Sequence, residues 1–268
     1  MTATNSPTLT DSAVRLASSI WKKSGLRSTP LATFANYISH YPIPFGLTSA
    51  HGTLYGWNIH ERLHHHEPET VTFFEKNIKP GDSVADIGAN IGYFALLFSD
   101  LVGENGKVVS FEPSPEAYKN LHRAAQGRKN ITVENKGVFS KNDTLTLHSR
   151  RGGDPMGSLM YERGARSTKV PVIMLRDYGA TFNWAKIDVE GAELEVLRGM
   201  ASPVRAVLEV AKGIIEDYGG GVEKFFYEIE NLGYTIYFIV ENGETIRYDH
   251  TNIKTLKDNI YIEPKQNT

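Results

Sequence analysis

The run Val84-Ala-Asp-Ile-Gly-Ala-Asn-Ile-Gly92 constrains the fold of this chain more than any other stretch. Val84 to Ile87 is a short apolar run, typical of a buried parallel strand. The run breaks at Gly88, and Tyr93 to Phe98 resumes with helical character. A strand that turns at a glycine into a helix exposes backbone N–H groups at the helix start, and the helix dipole there favours an anionic or carboxylate-bearing ligand. The run therefore predicts a strand, a ligand-binding loop and a helix.

A second predicted strand, Lys107 to Phe111, ends on an acid, Glu112. In dinucleotide-type folds an acid at this distance beyond the first glycine binds ribose hydroxyls. The dinucleotide fingerprint itself is absent, because Asn90 stands where its middle glycine would be. A pyrophosphate needs that position free of a side chain, so the pattern favours a ligand with a ribose and a carboxylate but no pyrophosphate, such as S-adenosylmethionine. The alternative is an ordinary strand–turn–helix with a packing glycine, and Glu112 counts against it.

Three blocks of sequence together resemble one enzyme family. They are Lys79–Tyr93, Phe111–Pro115 and Lys186–Glu193, and they look like the FkbM family of S-adenosylmethionine-dependent methyltransferases. The resemblance covers roughly Glu67 to Val210, with the blocks in family order. It implies an α/β class I methyltransferase fold of the Rossmann-like type. Its seven-stranded sheet would be mostly parallel, with an antiparallel edge.

The further strands of that sheet are predicted from short apolar runs, at Ile131–Glu134, Trp184–Asp188, Ala206–Val210, Tyr234–Val240 and Asn259–Ile262. Leu145–Leu147 and Lys169–Ile173 are predicted as accessory strands. Residues 67–268 are expected to form the S-adenosylmethionine-binding domain. Residues 1–66 precede it as an N-terminal helical or cap extension, with a predicted strand pair at Thr48–Leu54 and Tyr55–Ile59. Whether this leader covers the acceptor pocket or serves dimerisation or packing stays open.

Composition excludes several classes of protein. The chain has 268 residues, a formal net charge of −2 and no cysteine, so disulfides and zinc–thiolate sites are ruled out. A charge so near zero supplies no electrostatic case for nucleic acid. No apolar run approaches the ~20 residues that span a bilayer, and the N-terminus lacks the pattern of a signal peptide. We therefore expect a soluble, cytoplasmic protein without a membrane span, acting on a small-molecule or glycan acceptor, with a homodimer as an open option.

The predicted cofactor site lies around the glycine loop, with S-adenosylmethionine bound and S-adenosylhomocysteine as the product. Glu112 is expected to bind both ribose hydroxyls, while Asp86 orients the loop or meets the amino group. In related enzymes the end of the third strand contacts the adenine, and the segment before the core lies close to the methionine end. The full predicted cofactor set is Glu69, Thr70, Asp86, Gly88, Ala89, Asn90, Gly92, Tyr93, Glu112, Pro113, Asn135, Gly137, Val138 and Asp188.

Catalysis is expected to centre on Asp188, at the carboxyl end of its strand. A hydroxyl acceptor must lose its proton, so a base belongs beside it. Asp188 is the first candidate, followed by Glu190 or a leader histidine, His60 or His64, while Lys186 shares the face of Asp188 by strand alternation. The alternative is that Asp188 only caps the following helix.

No metal is assigned to this chain. The spacing of His60 and His64 on a helix, or of Asp188 and Glu190, would permit a divalent ion but does not indicate one.

A glycine-rich segment from Arg150 to Arg166 carries four arginines and would suit an acceptor with a phosphate or carboxylate; a solvated loop is the alternative. The predicted function is O-methyl transfer to a hydroxyl of a sugar, glycolipid or natural product. The competing functions are a nicotinamide-dependent oxidoreductase, which Asn90 opposes, and a cofactor-binding protein without turnover.

Overall fold

The computed structural model describes residues 47–48, 53–54, 67–149, 157–158, 166–210 and 221–265. Its α-helices are α1 (Pro68–Asn77), α2 (Tyr93–Val102), α3 (Pro115–Ala124), α4 (Glu193–Arg198) and α5 (Val222–Asn231). Its strands are β1 (Leu47–Thr48), β2 (Thr53–Leu54), β3 (Ser83–Ile87), β4 (Lys107–Phe111), β5 (Ile131–Glu134), β6 (Gly137–Val138), β7 (Asp143–Ser149), β8 (Gly157–Ser158), β9 (Arg166–Ile173), β10 (Trp184–Ile187), β11 (Arg205–Glu209), β12 (Tyr234–Ile239), β13 (Thr245–Arg247) and β14 (Asn259–Pro264).

Eight of the described strands form one mixed sheet, in the order β13-β12-β14-β11-β10-β3-β4-β5. The strands from β11 to β5 pair in parallel, and β14, β12 and β13 add an antiparallel edge. This architecture confirms the predicted fold class, with one strand more than the seven expected. The additional strand is β13, whose three residues are all exposed, so it carries no apolar pattern that sequence analysis could detect.

Alternate residues of the parallel strands face two separate helix layers, as strand geometry requires. One face carries Val84, Val108, Trp184 and Val207 and packs against aromatic residues of α1 and α2. The other face packs against α4 and α5. Because Asp86, Ser110, Glu112, Lys186, Asp188 and Glu209 follow the first set by two or four positions, their side chains belong to the α1–α2 face. The sheet thus gathers its polar residues on one side, at the carboxyl ends of the strands.

A second, four-stranded sheet has the order β6-β9-β7-β8 and confirms the two accessory strands. The predicted leader hairpin has the wrong bounds: β1 pairs with β2 in antiparallel fashion, so Thr48 and Thr53, which were expected in one strand, are partners in two. The predicted strand Tyr55–Ile59 and the remainder of the N-terminal extension lie outside the described residues. Among the described helices, none has the length and apolar character needed to cross a bilayer.

Candidate active site

The glycine loop between β3 and α2 is held by both neighbouring strands. The N–H groups of Gly88 and Ala89 both donate to the carbonyl oxygen of Phe111, at 3.0 and 3.1 Å. On the other side, a Cβ atom added to Gly88 would lie 1.7 Å from the carbonyl oxygen of Asp188, and Gly88 has a φ of +81°. Only glycine fits this close approach at a positive φ. Two of the loop amides that sequence analysis expected to face a ligand therefore fix the loop itself.

Glu112 lies at the end of β4, with 6% of its surface exposed. Its carboxylate accepts hydrogen bonds from the backbone N–H of Asn90 at 2.8 Å and of Ser114 at 2.7 Å. Burial raises the pKa of Glu112 to about 7, although these two donors oppose the shift. A carboxylate offers about four lone-pair positions, so Glu112 can still accept two further hydrogen bonds.

Asn90 supplies a second acceptor beside Glu112. It has a φ of +49°, uncommon for a residue other than glycine, and its side-chain oxygen Oδ1 is buried without a hydrogen-bond partner in the described structure. A buried polar atom left unpaired costs stability, so such an atom points to a missing ligand donor. A ribose diol or an ammonium group supplies donors of this kind. The residues present therefore fit S-adenosylmethionine, with Glu112 and Asn90 as the residues that would hold it.

The side chain of Asn135 binds the backbone of the protein itself. Its side-chain Nδ2 donates to the carbonyl oxygens of Glu112 and Pro113, at 2.8 and 3.2 Å. Gly137 and Val138 form β6 and are buried, and a Cβ atom added to Gly137 would lie 3.7 Å from Pro113. Asn135 and Gly137 thus contact the turn that follows β4. The predicted contact of these residues with an adenine stays a prediction.

Tyr178, which sequence analysis missed, also lies at this side of the site. Its ring packs edge-on against Phe111 at 5.1 Å, and its hydroxyl donates to Glu134 at 3.0 Å. No motif marked it, since the contact depends on a 3₁₀ turn that returns to the sheet.

A buried polar row crosses the parallel strands beneath the loop. Lys186, Asp86 and Ser110 are register partners on β10, β3 and β4. Asp86 is 1% exposed, and burial raises its pKa to about 7 although Lys186 opposes the shift. Asp86 is therefore buried within the sheet, and whether it orients the loop or meets the amino group stays a prediction.

The ammonium group of Lys186 is the centre of this row. Its Nζ lies 2.9 Å from Oδ2 of Asp188, 3.9 Å from Oε1 of Glu67 and 4.5 Å from the centre of the Phe94 ring. Burial on its own lowers the pKa of Lys186, but Asp188 and Glu67 outweigh it and raise the pKa above its usual value. A lysine that stays protonated cannot serve as a base, so what it contributes here is the ion pair with Asp188.

Asp188 follows β10 directly and meets two further acids. Oxygen atoms of Asp188, Glu190 and Glu209 all lie within 4.8 Å of one another, and the Asp188 side chain is 24% exposed. Burial and the hydrogen bond to Asp188 raise the pKa of Glu209. In the structure Glu209 therefore lies beside Asp188, the residue on which catalysis is predicted to centre. Its position at a strand end, on the same face as Asp188, is the signal in the sequence that could have identified it.

In the segment before the core, two acids at the start of α1 pair with lysines of the protein. Glu69 forms an ion pair with Lys257 at 2.7 Å, and Thr70 is buried. Glu67, at the N-terminus of α1, faces Lys186 instead and accepts from Asn259 Nδ2 at 2.9 Å. A contact of Glu69 or Thr70 with a cofactor stays a prediction, as do those of Gly92 and Tyr93 at the start of α2. His60 and His64 lie outside the described residues, and so does the arginine-rich segment apart from β8 and Arg166 at the start of β9.

Replacing Lys186 with methionine is expected to destabilise the protein by about 3–5 kcal/mol at pH 8, because it leaves buried carboxylates without their cation. Urea unfolding followed by circular dichroism measures this. Lys257→Met is the matched control: Lys257 also pairs with an acid at the start of α1, but at an exposed position, so its loss should matter little. Equal losses in the two variants would contradict the importance of the buried row.

Comparison with known proteins finds one matching family model. Residues 86–236 match the methyltransferase FkbM domain. The chain is also similar to the protein-L-isoaspartate O-methyltransferase 1 of Arabidopsis thaliana, with 30% identity over 93 residues, which is 35% of this chain and 38% of that protein. It is 24% identical over 167 residues to the hexuronic acid methyltransferase AglP of Haloferax volcanii, which is 58% of this chain and 63% of that protein. The aligned segments thus span less than two thirds of these curated relatives.

Among solved structures, a methyltransferase FkbM from Methylobacillus flagellatus superposes with a TM-score of 0.44 at 14% identity. The superposition covers 68% of this chain and 43% of that one.

Proposed function

Because this chain belongs to the methyltransferase FkbM family, we propose that it is an S-adenosylmethionine-dependent O-methyltransferase acting on a hydroxyl of a sugar, glycolipid or natural-product acceptor. One observation supports this beyond the family. Glu112 binds the glycine loop through Asn90, whose Oδ1 is buried without a partner among the described residues, and Gly88 of the same loop lies close to the backbone carbonyl of Asp188. A site for donors on a ribose therefore adjoins a carboxylate suited to an acceptor hydroxyl.

The cofactor supplies a methyl group on a sulfonium, which already has a good leaving group. The work left to the protein is to orient the reactants and manage one proton. Glu112 binds ribose hydroxyls, Asn90 accepts one more donor, and the loop fixed by Phe111 keeps both in place. Asp188 accepts a hydrogen bond or the proton from the acceptor hydroxyl, and Lys186 orients it. Residues 67–268 form the catalytic domain in this proposal, with 1–66 as its cap, from which His60 or His64 could also reach the acceptor.

The test is calorimetric titration with S-adenosylhomocysteine, with NADH as the control ligand. Binding in the micromolar range, about −8 kcal/mol, is expected for the former and none for NADH. Release of S-adenosylhomocysteine from S-adenosylmethionine is then followed with a panel of hydroxylated sugars and natural products. Failure to bind S-adenosylhomocysteine would overturn the proposal, and binding of NADH would favour the oxidoreductase.

A further inference from the structure

Glu193 is a buried acid that the proposed function leaves without a role. It is the first residue of α4 and is 1% exposed. One oxygen of its carboxylate, Oε1, accepts from the backbone N–H of Gly191 at 3.1 Å and of Val189 at 3.4 Å. Burial raises the pKa of Glu193 to about 7, although these donors oppose the shift. Burying a carboxyl group costs stability, so its place here calls for a reason other than packing.

The turn that Glu193 binds has an unusual backbone. Glu190 has a φ of +52° and Gly191 a φ of +104°. A positive φ is uncommon for a residue other than glycine. Strained residues of this kind persist where the surroundings impose them, and they concentrate at functional sites. Since Glu193 binds the N–H groups of the two residues that flank Glu190, it supplies part of that constraint.

The same turn connects the predicted base with the glycine loop. It begins at Asp188, whose N–H donates to the carbonyl oxygen of Ile87 at 2.9 Å. A Cβ atom added to Gly88 would lie 1.7 Å from the carbonyl oxygen of Asp188 and 3.4 Å from Cγ1 of Val189. The side chain of Asp188 pairs with Lys186 at 2.9 Å. A movement of the turn at Val189 would therefore shift Asp188 relative to both the loop and its lysine partner.

We propose that Glu193 is a positioning residue for methyl transfer, which fixes the turn from Asp188 to Gly191 and so holds the Asp188 carboxylate at a set place beside the glycine loop. It acts through Asp188 and not on the reactants. Its length and its acceptor oxygen matter more than its charge, because one oxygen accepts both hydrogen bonds. This inference rests on the proposed function, because it takes Asp188 to lie beside the transferred methyl group.

Three substitutions separate these properties of the side chain. Glu193→Gln keeps an acceptor oxygen at the same distance from the backbone and loses the charge. Glu193→Asp keeps the charge but is shorter by one methylene, so its oxygen is withdrawn from the turn. Glu193→Met keeps the approximate size and has only a weak sulfur acceptor. The proposal therefore expects Glu193→Gln to behave as the wild type and the other two to behave alike.

Sinefungin is the probe for the place of Asp188, because it carries an ammonium group where S-adenosylmethionine carries its sulfonium methyl. The ratio of its affinity to that of S-adenosylhomocysteine reports how near the Asp188 carboxylate lies, and calorimetry at pH 8 measures it without an acceptor. Glu193→Asp and Glu193→Met should lower the ratio about fivefold and keep the affinity for S-adenosylhomocysteine within about twofold of the wild type. Glu193→Gln should keep the wild-type ratio, and Asp188→Asn should lower it at least as far as Glu193→Asp does.

Leu197→Ala is the matched control for loss of stability. Leu197 is a buried residue of the same helix, 4% exposed, and its truncation leaves a cavity without removing a hydrogen bond of the turn. The variant should unfold at a lower temperature than the wild type and keep the wild-type ratio. Thermal unfolding confirms that each protein compared is folded. If Glu193→Met does not fold, the comparison of Glu193→Asp with Glu193→Gln decides.

The outcomes separate this inference from the proposed function. Loss of S-adenosylhomocysteine binding in the wild type would remove the proposed function itself. An unchanged ratio in Asp188→Asn would overturn the place of Asp188 beside the methyl group, and this inference with it. Where Asp188→Asn does lower the ratio, an unchanged ratio in Glu193→Asp would overturn the role of Glu193 alone. So would an equal fall in Glu193→Gln or in Leu197→Ala, since charge or general stability would then explain the effect.

Discussion

Replacing Glu112 with alanine is expected to weaken the binding of S-adenosylhomocysteine at least about 100-fold, which is ~3 kcal/mol at 25 °C. Two hydroxyl donors lose a charged acceptor, and each such hydrogen bond contributes about 1.5–3 kcal/mol. The variant also leaves the N–H groups of Asn90 and Ser114 without their acceptor, so the loop itself loses support. Calorimetric titration of the two proteins measures the difference.

Glu116→Ala is the matched control, because Glu116 is an exposed glutamate at the start of α3. Its affinity should equal that of the wild type. Thermal unfolding confirms that Glu112→Ala is folded under the titration conditions. Binding by Glu112→Ala within about threefold of the wild type would show that Glu112 does not hold the ribose.

The same carboxyl makes binding depend on pH. Burial raises the pKa of Glu112 to about 7, so the group is mostly protonated at pH 6 and mostly ionised at pH 8. A protonated carboxyl is the poorer acceptor, so the affinity for S-adenosylhomocysteine should rise about five- to tenfold from pH 6 to pH 8. The contribution of Glu112 to folding has the opposite dependence on pH. Because its pKa is higher in the folded protein than in the unfolded chain, Glu112 contributes stability that is fully present below its ordinary pKa, and this stability is lost as pH rises through about 7. In Glu112→Gln the rise in affinity should disappear.

Replacing Gly88 with alanine is expected to destabilise the protein by more than about 3 kcal/mol and to abolish binding of S-adenosylhomocysteine. The new Cβ atom would lie 1.7 Å from the carbonyl oxygen of Asp188, so either the glycine loop or the end of β10 must move. Both Glu112, through Asn90, and Asp188 would then lose their relative position. Urea unfolding and calorimetry report the two effects separately.

Gly127→Ala separates the contact from the backbone conformation. Gly127 has a φ of +85°, close to the +81° of Gly88, but nothing lies within 4 Å of its added Cβ atom. The Gly127→Ala variant should therefore be destabilised by only about 1–2 kcal/mol, the cost of alanine in the left-handed conformation. Its affinity for the ligand should not change. If Gly88→Ala is no less stable than Gly127→Ala, the close approach to Asp188 is not a constraint on the fold.

Much of the fold was predictable because its signals are local. Lys107–Phe111 and Ile131–Glu134 were predicted with the bounds that the structure has, since short apolar runs between turn residues have few other interpretations. The exposed strand β13 was not found, because a strand that buries nothing leaves no pattern.

The candidate site was predictable only in part. The sequence by itself determined that Gly88, Asn90 and Glu112 belong to one loop and one strand end, because their order and spacing follow from a single strand–turn–helix unit. Only the tertiary structure decided which acids surround Asp188. Glu67, Glu209 and Asn259 come from segments far apart in the chain, and they meet because β11 pairs with both β10 and β14 while α1 begins above them. Strand alternation gives the face of each residue, but pairing across the sheet, which depends on packing of the whole core, gives its neighbours.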